Sequence, residues 1–187
     1  MSNFTIEVRD DQVHAAFLAL EERVTNAKGF LGGLGEDLVE RTKRRFETST
    51  GPDGVPWLPN SAATLMALGS RLTRHRNAKG ERSYAYSKQG GLLNGKGLAK
   101  LGSKKPLIDQ GELRRQIVWK ATADTLTVGA TPLYAAIQQF GGQAGRGLKV
   151  TIPARPYLPV RSDETLYPEE LAFILDSLNE YIAGLST

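Results

Sequence analysis

The chain offers few side chains suited to catalysis. It has no cysteine, which excludes a thiol nucleophile, a disulfide and any cysteine-bearing metal site. Its two histidines, His14 and His75, are too few for a multi-histidine metal site. His14 lies at the start of an expected helix and reads as a partly exposed helix residue. His75 sits in RLTRHRNAKGER with no carboxylate companion to orient it as a base. Asp109 and Glu112 form a spaced carboxylate pair, but a capping box at a helix start accounts for both. Residues 90–96 have the G-x-x-x-x-G-K spacing of a phosphate loop. Gly97 follows where a hydroxyl would have to reach magnesium, and no apolar strand precedes. No nucleophile, base and orienting group come together. The sequence therefore predicts no enzyme, cofactor or metal.

Charge distribution carries more information. The 187 residues hold 24 Lys and Arg against 20 Asp and Glu, a net charge of +4. The basic excess is concentrated between Gly69 and Lys105, where seven glycines are interspersed and Glu81 is the sole acid. Arg71, Arg74, His75, Arg76, Lys79, Arg82, Lys88, Lys96, Lys100, Lys104 and Lys105 are the candidate contacts of this stretch to DNA phosphates or to a partner protein. With only scattered apolar residues, 69–105 is expected to be an extended basic arm or long loop within a single domain spanning 1–187. From Asp163 onward there are six acids and no base, an acidic element opposite in sign to the arm. The start MSNFTIEVRDDQ has no apolar signal core, and no stretch is apolar enough to span a membrane. A cytoplasmic protein, or one assembled from cytoplasmic parts, is expected.

The elements that position these residues follow from periodicity. Residues 4–9 alternate as a half-buried strand, and 12–27 recur at helical spacing until the glycine-rich GFLGGLG, 29–35, bends the chain. A second helix is expected over 34–48, with Leu34, Leu38, Thr42 and Phe46 on one stripe and the run RTKRR as a solvated face, the alternative being a nucleic-acid contact. GPDGVPWLPNSAATLMAL then turns twice and fixes Trp57 between Pro56 and Pro59 as a plug on the core; Asn60 or Ser61 caps a short segment, 62–68. A helical turn over 110–115 precedes strands at 116–120 and 125–129, joined by a turn at 121–124. Thr131-Pro132 starts a helix with Leu133, Ile137 and Phe140 inward. After a second glycine-rich loop, Leu148, Val150 and Ile152 alternate as a strand. Pro168 opens a terminal helix with Leu171, Ile174, Leu175, Leu178 and Ile182 as its apolar stripe. The fold class is α+β: a short antiparallel sheet packed with three or four helices.

Three segments resemble a known family in the same order along the chain. GPDGVPWLPNSAATL resembles the G-x-x-W-x-P-x-S-x-x-T-x pattern of bacteriophage virion-morphogenesis, or tail-completion, proteins of the Mu-like type; Trp57, Pro59, Ser61 and Thr64 carry it. LIDQGELRRQI and LTVGATPLYAAIQQFGG resemble the family's next pattern through Gly111, Leu113, Gly129, Tyr134, Ala135, Phe140 and Gly141. IPARPYLPV, before the acidic helix, resembles its Arg-Pro-aromatic-Leu segment through Arg155, Pro156 and Tyr157. Gly111 and Gly129 suit tight turns or close approach. Arg155, between Pro153 and Pro156, suits pairing with an acid or carbonyl ahead of the last helix.

The resemblance implies a structural virion protein at the head–tail junction or the completed tail end, assembled in the host cytoplasm. It further implies a ring of this chain, with six copies, that helps a filled head join a tail. Partners would be head connector or head-completion proteins and tail tube or tail terminator proteins, with packaged DNA as a non-specific contact and no membrane. Two alternatives stay open: a non-specific nucleic-acid-binding module, and a tail terminator rather than a neck protein.

Overall fold

The computed structural model describes residues 14, 15, 18, 21, 24, 25, 27–81, 83–84 and 93–184. The expected strand at 4–9 lies outside the described residues. The described residues between 14 and 25 are helical. Helix α1 covers Lys28–Thr48, α2 covers Ala62–Arg74, α3 covers Gly95–Gly102 and α4 covers Glu112–Arg115. Strands β1, Ile117–Ala121, and β2, Leu126–Ala130, follow, then α5, Ala135–Phe140. A second strand pair, β3 at Gly142–Ala144 and β4 at Val150–Ile152, precedes the terminal helix α6, Pro168–Ala183.

Helix α1 runs through the glycines expected to bend the chain. Glycine inside a helix costs about 1 kcal/mol relative to alanine, and at Gly35 close packing offsets that cost. A Cβ on Gly35 would lie 2.9 Å from side-chain atoms of both Trp119 and Leu126, so only glycine lets the β1–β2 hairpin rest on the helix backbone. The Ala27 amide also donates to the Ala123 carbonyl in the hairpin turn, at 2.9 Å. Leu34, Leu38, Thr42 and Phe46 are buried, as their spacing predicts. Arg45 is buried too, so RTKRR is not simply a solvated face.

The strands form two separate antiparallel pairs among the described residues, not one sheet. In the first, Ile117 faces Ala130 and Ala121 faces Leu126. Its turn lies one residue beyond the expected place, because Thr122 closes it. The Thr122 amide donates to the Thr125 carbonyl at 2.8 Å, and Asp124 accepts from both threonine hydroxyls. In the second pair Gly142 faces Ile152 and Ala144 faces Val150, and Leu148 falls in the intervening 3-10 turn.

The expected extended arm is also corrected among the described residues. Ser61 caps α2 by accepting from the Thr64 amide, and the helix continues through Gly69 to Arg74. Leu68 and Leu72, one turn apart, are both buried and extend its apolar stripe. Asn94 caps α3 through the Gly97 amide, and α3 packs on α2.

Two further helices present different faces from those expected. Leu133, just before α5, and Phe140 on it are exposed, and Ala135 and Gln139 are the buried pair. On α6, Pro168 occupies the first turn as expected, but Leu171, Leu175, Leu178 and Ile182 are exposed. The core joins Val39 and Phe46 of α1 to Trp57, Leu113, Ile117, Ala135 and Tyr157.

Candidate functional site

The motif-bearing segments meet at this core. Trp57 packs edge-on against Phe46, with centroids 5.4 Å apart, and its indole nitrogen donates to the Pro156 carbonyl at 2.8 Å. Arg155 returns the link, donating from Nε to the Leu58 carbonyl and from Nη2 to the Pro59 carbonyl, each at 2.8 Å. The tryptophan loop and the Arg-Pro-Tyr segment thus hold each other through side chain to backbone bonds in both directions. Burial lowers the Arg155 pKa from its ordinary value, and two carbonyls accept from the charged group.

Gln139, which sequence patterning did not single out, organises the next step. Its side-chain carbonyl accepts from the Tyr157 and Leu158 amides at 2.8 and 2.9 Å. Its amide donates to the Leu158 and Val160 carbonyls at 3.3 and 2.9 Å. One buried side chain therefore does for residues 157–160 what a neighbouring strand would do. Tyr157 is fully buried, donates to the Ala135 carbonyl at 3.1 Å and has its hydroxyl pKa pushed up to about 12 by burial. Gly141 completes the turn between α5 and β3. Its φ of 72° is left-handed, and a Cβ there would lie 2.8 Å from the Ala154 nitrogen.

A second polar cluster ties α6 to α1. Glu170 is 2% exposed and takes Arg41 at 2.7 Å and Arg45 at 2.6 Å. Arg45 also donates to the Tyr157 carbonyl at 2.6 Å, and Arg41 lies 4.3 Å from the Phe173 ring centroid. Burial pushes the Glu170 carboxyl upward, but hydrogen bonds and charge from the two arginines outweigh it and hold the group below its ordinary value. Spacing could have suggested this site: Arg41 and Arg45 are one turn apart, and Glu170 lies in the first turn of the terminal helix. The first-turn position instead suggested a helix-dipole role, and RTKRR suggested solvent.

Asp109 does not cap a helix. It accepts from Arg71 at 2.6 Å and from Lys104 at 2.7 Å, and these hydrogen bonds hold its carboxyl well below the usual carboxylate range. Gly111, with a left-handed φ of 81°, occupies the N-cap of α4, and Glu112 pairs with Arg115. Leu113 and Ala135 are buried, whereas Tyr134 is exposed. Gly129 has no close neighbour at its would-be Cβ and no left-handed φ, so neither expected reason for that glycine applies.

The candidate basic contacts are spread over several elements. Arg71 and Lys104 are engaged by Asp109, and Lys105 donates to the Glu47 carbonyl. Arg76 donates to the Gly80 carbonyl, and the His75 Nδ1 is paired with the Ser83 hydroxyl. Arg74, Lys79, Lys96 and Lys100 are exposed. Arg82 and Lys88 lie outside the described residues. Among the described residues, no group of acidic or histidine side chains could hold a metal ion, and no helix is long and apolar enough to cross a membrane.

An open groove of about 1170 Å³ lies between α2, the 104–113 segment and β4. Leu68, Ile108, Leu113 and Ile152 contribute apolar surface to it, and Arg71, Lys104 and Lys105 line it as well.

A profile of the phage virion morphogenesis family matches residues 8–81 and 68–181. The chain belongs to this family. It is also similar to Mu-like prophage FluMu G protein 2 of Haemophilus influenzae, at 42% identity over 82 residues. That alignment covers 44% of this chain and 55% of the relative, so the match spans about half of the relative's length. No solved structure matches the chain. The protein is thus a phage virion-morphogenesis protein, and assembly of a particle is structural work, not catalysis.

Proposed function

We propose that this virion-morphogenesis protein is a single-domain, ring-forming component of the neck or tail end, and that its ring completes the tail and promotes head–tail joining. The exposed apolar stripe of α6 carries the reading. Leu171, Leu175, Leu178 and Ile182 recur at helical spacing and are exposed among the described residues. The family motif residues Trp57, Ala135, Arg155 and Tyr157 are instead buried in the core. They shape the protein, and its outer surfaces are left to meet its neighbours. Head-completion and tail-tube proteins are the partners this reading requires, and a station at the tail terminator is its variant form. Sedimentation velocity on the full chain tests it, alone and mixed with tail components. A discrete ring-sized species supports the proposal, and a monomer under every condition contradicts it.

The exposed cations Arg74, Lys79, Lys96 and Lys100 favour a second reading, non-specific contact with DNA. Such binding would weaken steeply as salt rises, because each neutralised phosphate releases counterions. Absence of binding at low salt would remove this reading.

A further inference from the structure

Resting on the ring-forming reading, we propose that helix α6 of one copy docks in the groove between α2 and β4 of the next. The two surfaces match in shape class. Leu171, Leu175, Leu178 and Ile182 stand at i, i+4, i+7 and i+11, the spacing with which an amphipathic helix lies in an apolar groove. The groove, at about 1170 Å³, exceeds the range of about 300–1,000 Å³ typical of small-molecule pockets. Ala63 and Ala67 are small residues on its α2 wall, and Leu113 and Ile152 give it apolar lining.

The charges match as well. Asp163, Glu164, Glu169, Asp176 and Glu180 are exposed on α6 and the turn before it. At the groove Asp109 is already held by Arg71 and Lys104, Glu112 is paired with Arg115, and the exposed Lys105 donates to a backbone carbonyl. Lys100 adds a further exposed cation beside it. Opposite signs steer encounter and favour one orientation of the helix.

The helix cannot serve its own groove. Glu170 fastens its first turn to α1, and Tyr181 stacks on Phe30 of α1 at 4.5 Å near its other end. No residue of α6 lines the groove. Two different patches that fit each other but not themselves give head-to-tail contacts, which close into a ring when the rotation allows.

The absence of cysteine makes the test clean. Full-length protein carrying only Ala67→Cys is mixed with full-length protein carrying only Leu175→Cys, and a short bis-maleimide is added. The proposal expects a cross-linked pair in the mixture and none in either variant alone. In parallel, Leu175→Asp should lose the ring in sedimentation while keeping its helix content by circular dichroism. No cross-link in the mixture, a self-cross-link of the Leu175→Cys protein, or intact rings of folded Leu175→Asp would overturn the interface. Wild-type rings alongside such a result leave the ring reading standing with another interface. A wild-type protein that stays monomeric removes the ring reading itself.

Discussion

Two clusters in this molecule share one composition, a single carboxylate held by two cations, and differ in surroundings. Glu170 with Arg41 and Arg45 joins the terminal helix to α1, its carboxylate 2% exposed. Asp109 with Arg71 and Lys104 joins the segment before α4 to α2, its carboxylate 54% exposed. Ion pairs in water contribute little, because solvent competes for each charge and salt screens both. A buried carboxylate has no such competitor, and removing it strands Arg45, 8% exposed, away from water. The first cluster therefore fixes the fold. The second orders a surface at the edge of the groove.

The largest expected effect follows from breaking the buried cluster. Glu170→Ala should destabilise the protein by about 3–5 kcal/mol, the usual result of leaving a buried charge without its partner, as measured by denaturant unfolding. The same contrast can be read by pH. The folded-state pKa of Glu170 lies below its ordinary value, so its stabilisation is complete above about pH 4.3, the unfolded value, and is lost as pH falls through the lower folded value. The stability gap between wild type and Glu170→Gln should accordingly narrow as acid is added. A gap that stays constant would show that the charge of Glu170 is not what matters.

Gln139→Leu comes next. It leaves the Tyr157 and Leu158 amides without their acceptor, and a loss of about 1–3 kcal/mol is expected for stranding such groups. Thermal or denaturant midpoints would show it. Smallest is Asp109→Asn, which should shift the midpoint little at low salt and not at all in 1 M salt. A large, salt-resistant loss there would erase the distinction between the two clusters.

Sequence patterning revealed the elements governed by local rules and missed those governed by distant contacts. The buried stripe of α1 follows from spacing alone, as does a cap at Asn60 or Ser61, of which Ser61 is the one formed. Within the hairpin the one-residue error traces to the Thr122 and Asp124 side chains, whose turn chemistry outweighed the alternating pattern. The glycines of 29–35 looked like a break because the packing that requires Gly35 lies about ninety residues away, in Trp119 and Leu126. Leu133 and Phe140 looked inward because they are apolar, yet the polar Gln139 takes the inner position, with a fixed segment of backbone to satisfy it. The stripe of α6 was correctly located in sequence, but its face is free of the monomer core. The basic stretch looked extended because its few leucines are widely scattered. Leu68 and Leu72 nevertheless suffice to carry α2 to Arg74, and Asn94 starts a new helix. At the candidate site, Trp57 and Arg155 stood out by type and setting and Tyr157 through the family resemblance, whereas the groove exists only once α2, residues 104–113 and β4 have come together.

Under the proposed function, this protein works by joining preassembled parts of the particle. Electron microscopy of particles made without it tests that most directly. The expected result is filled heads and separate tails, which become joined when purified wild-type protein is added. Normally joined particles in its absence would overturn the proposed function.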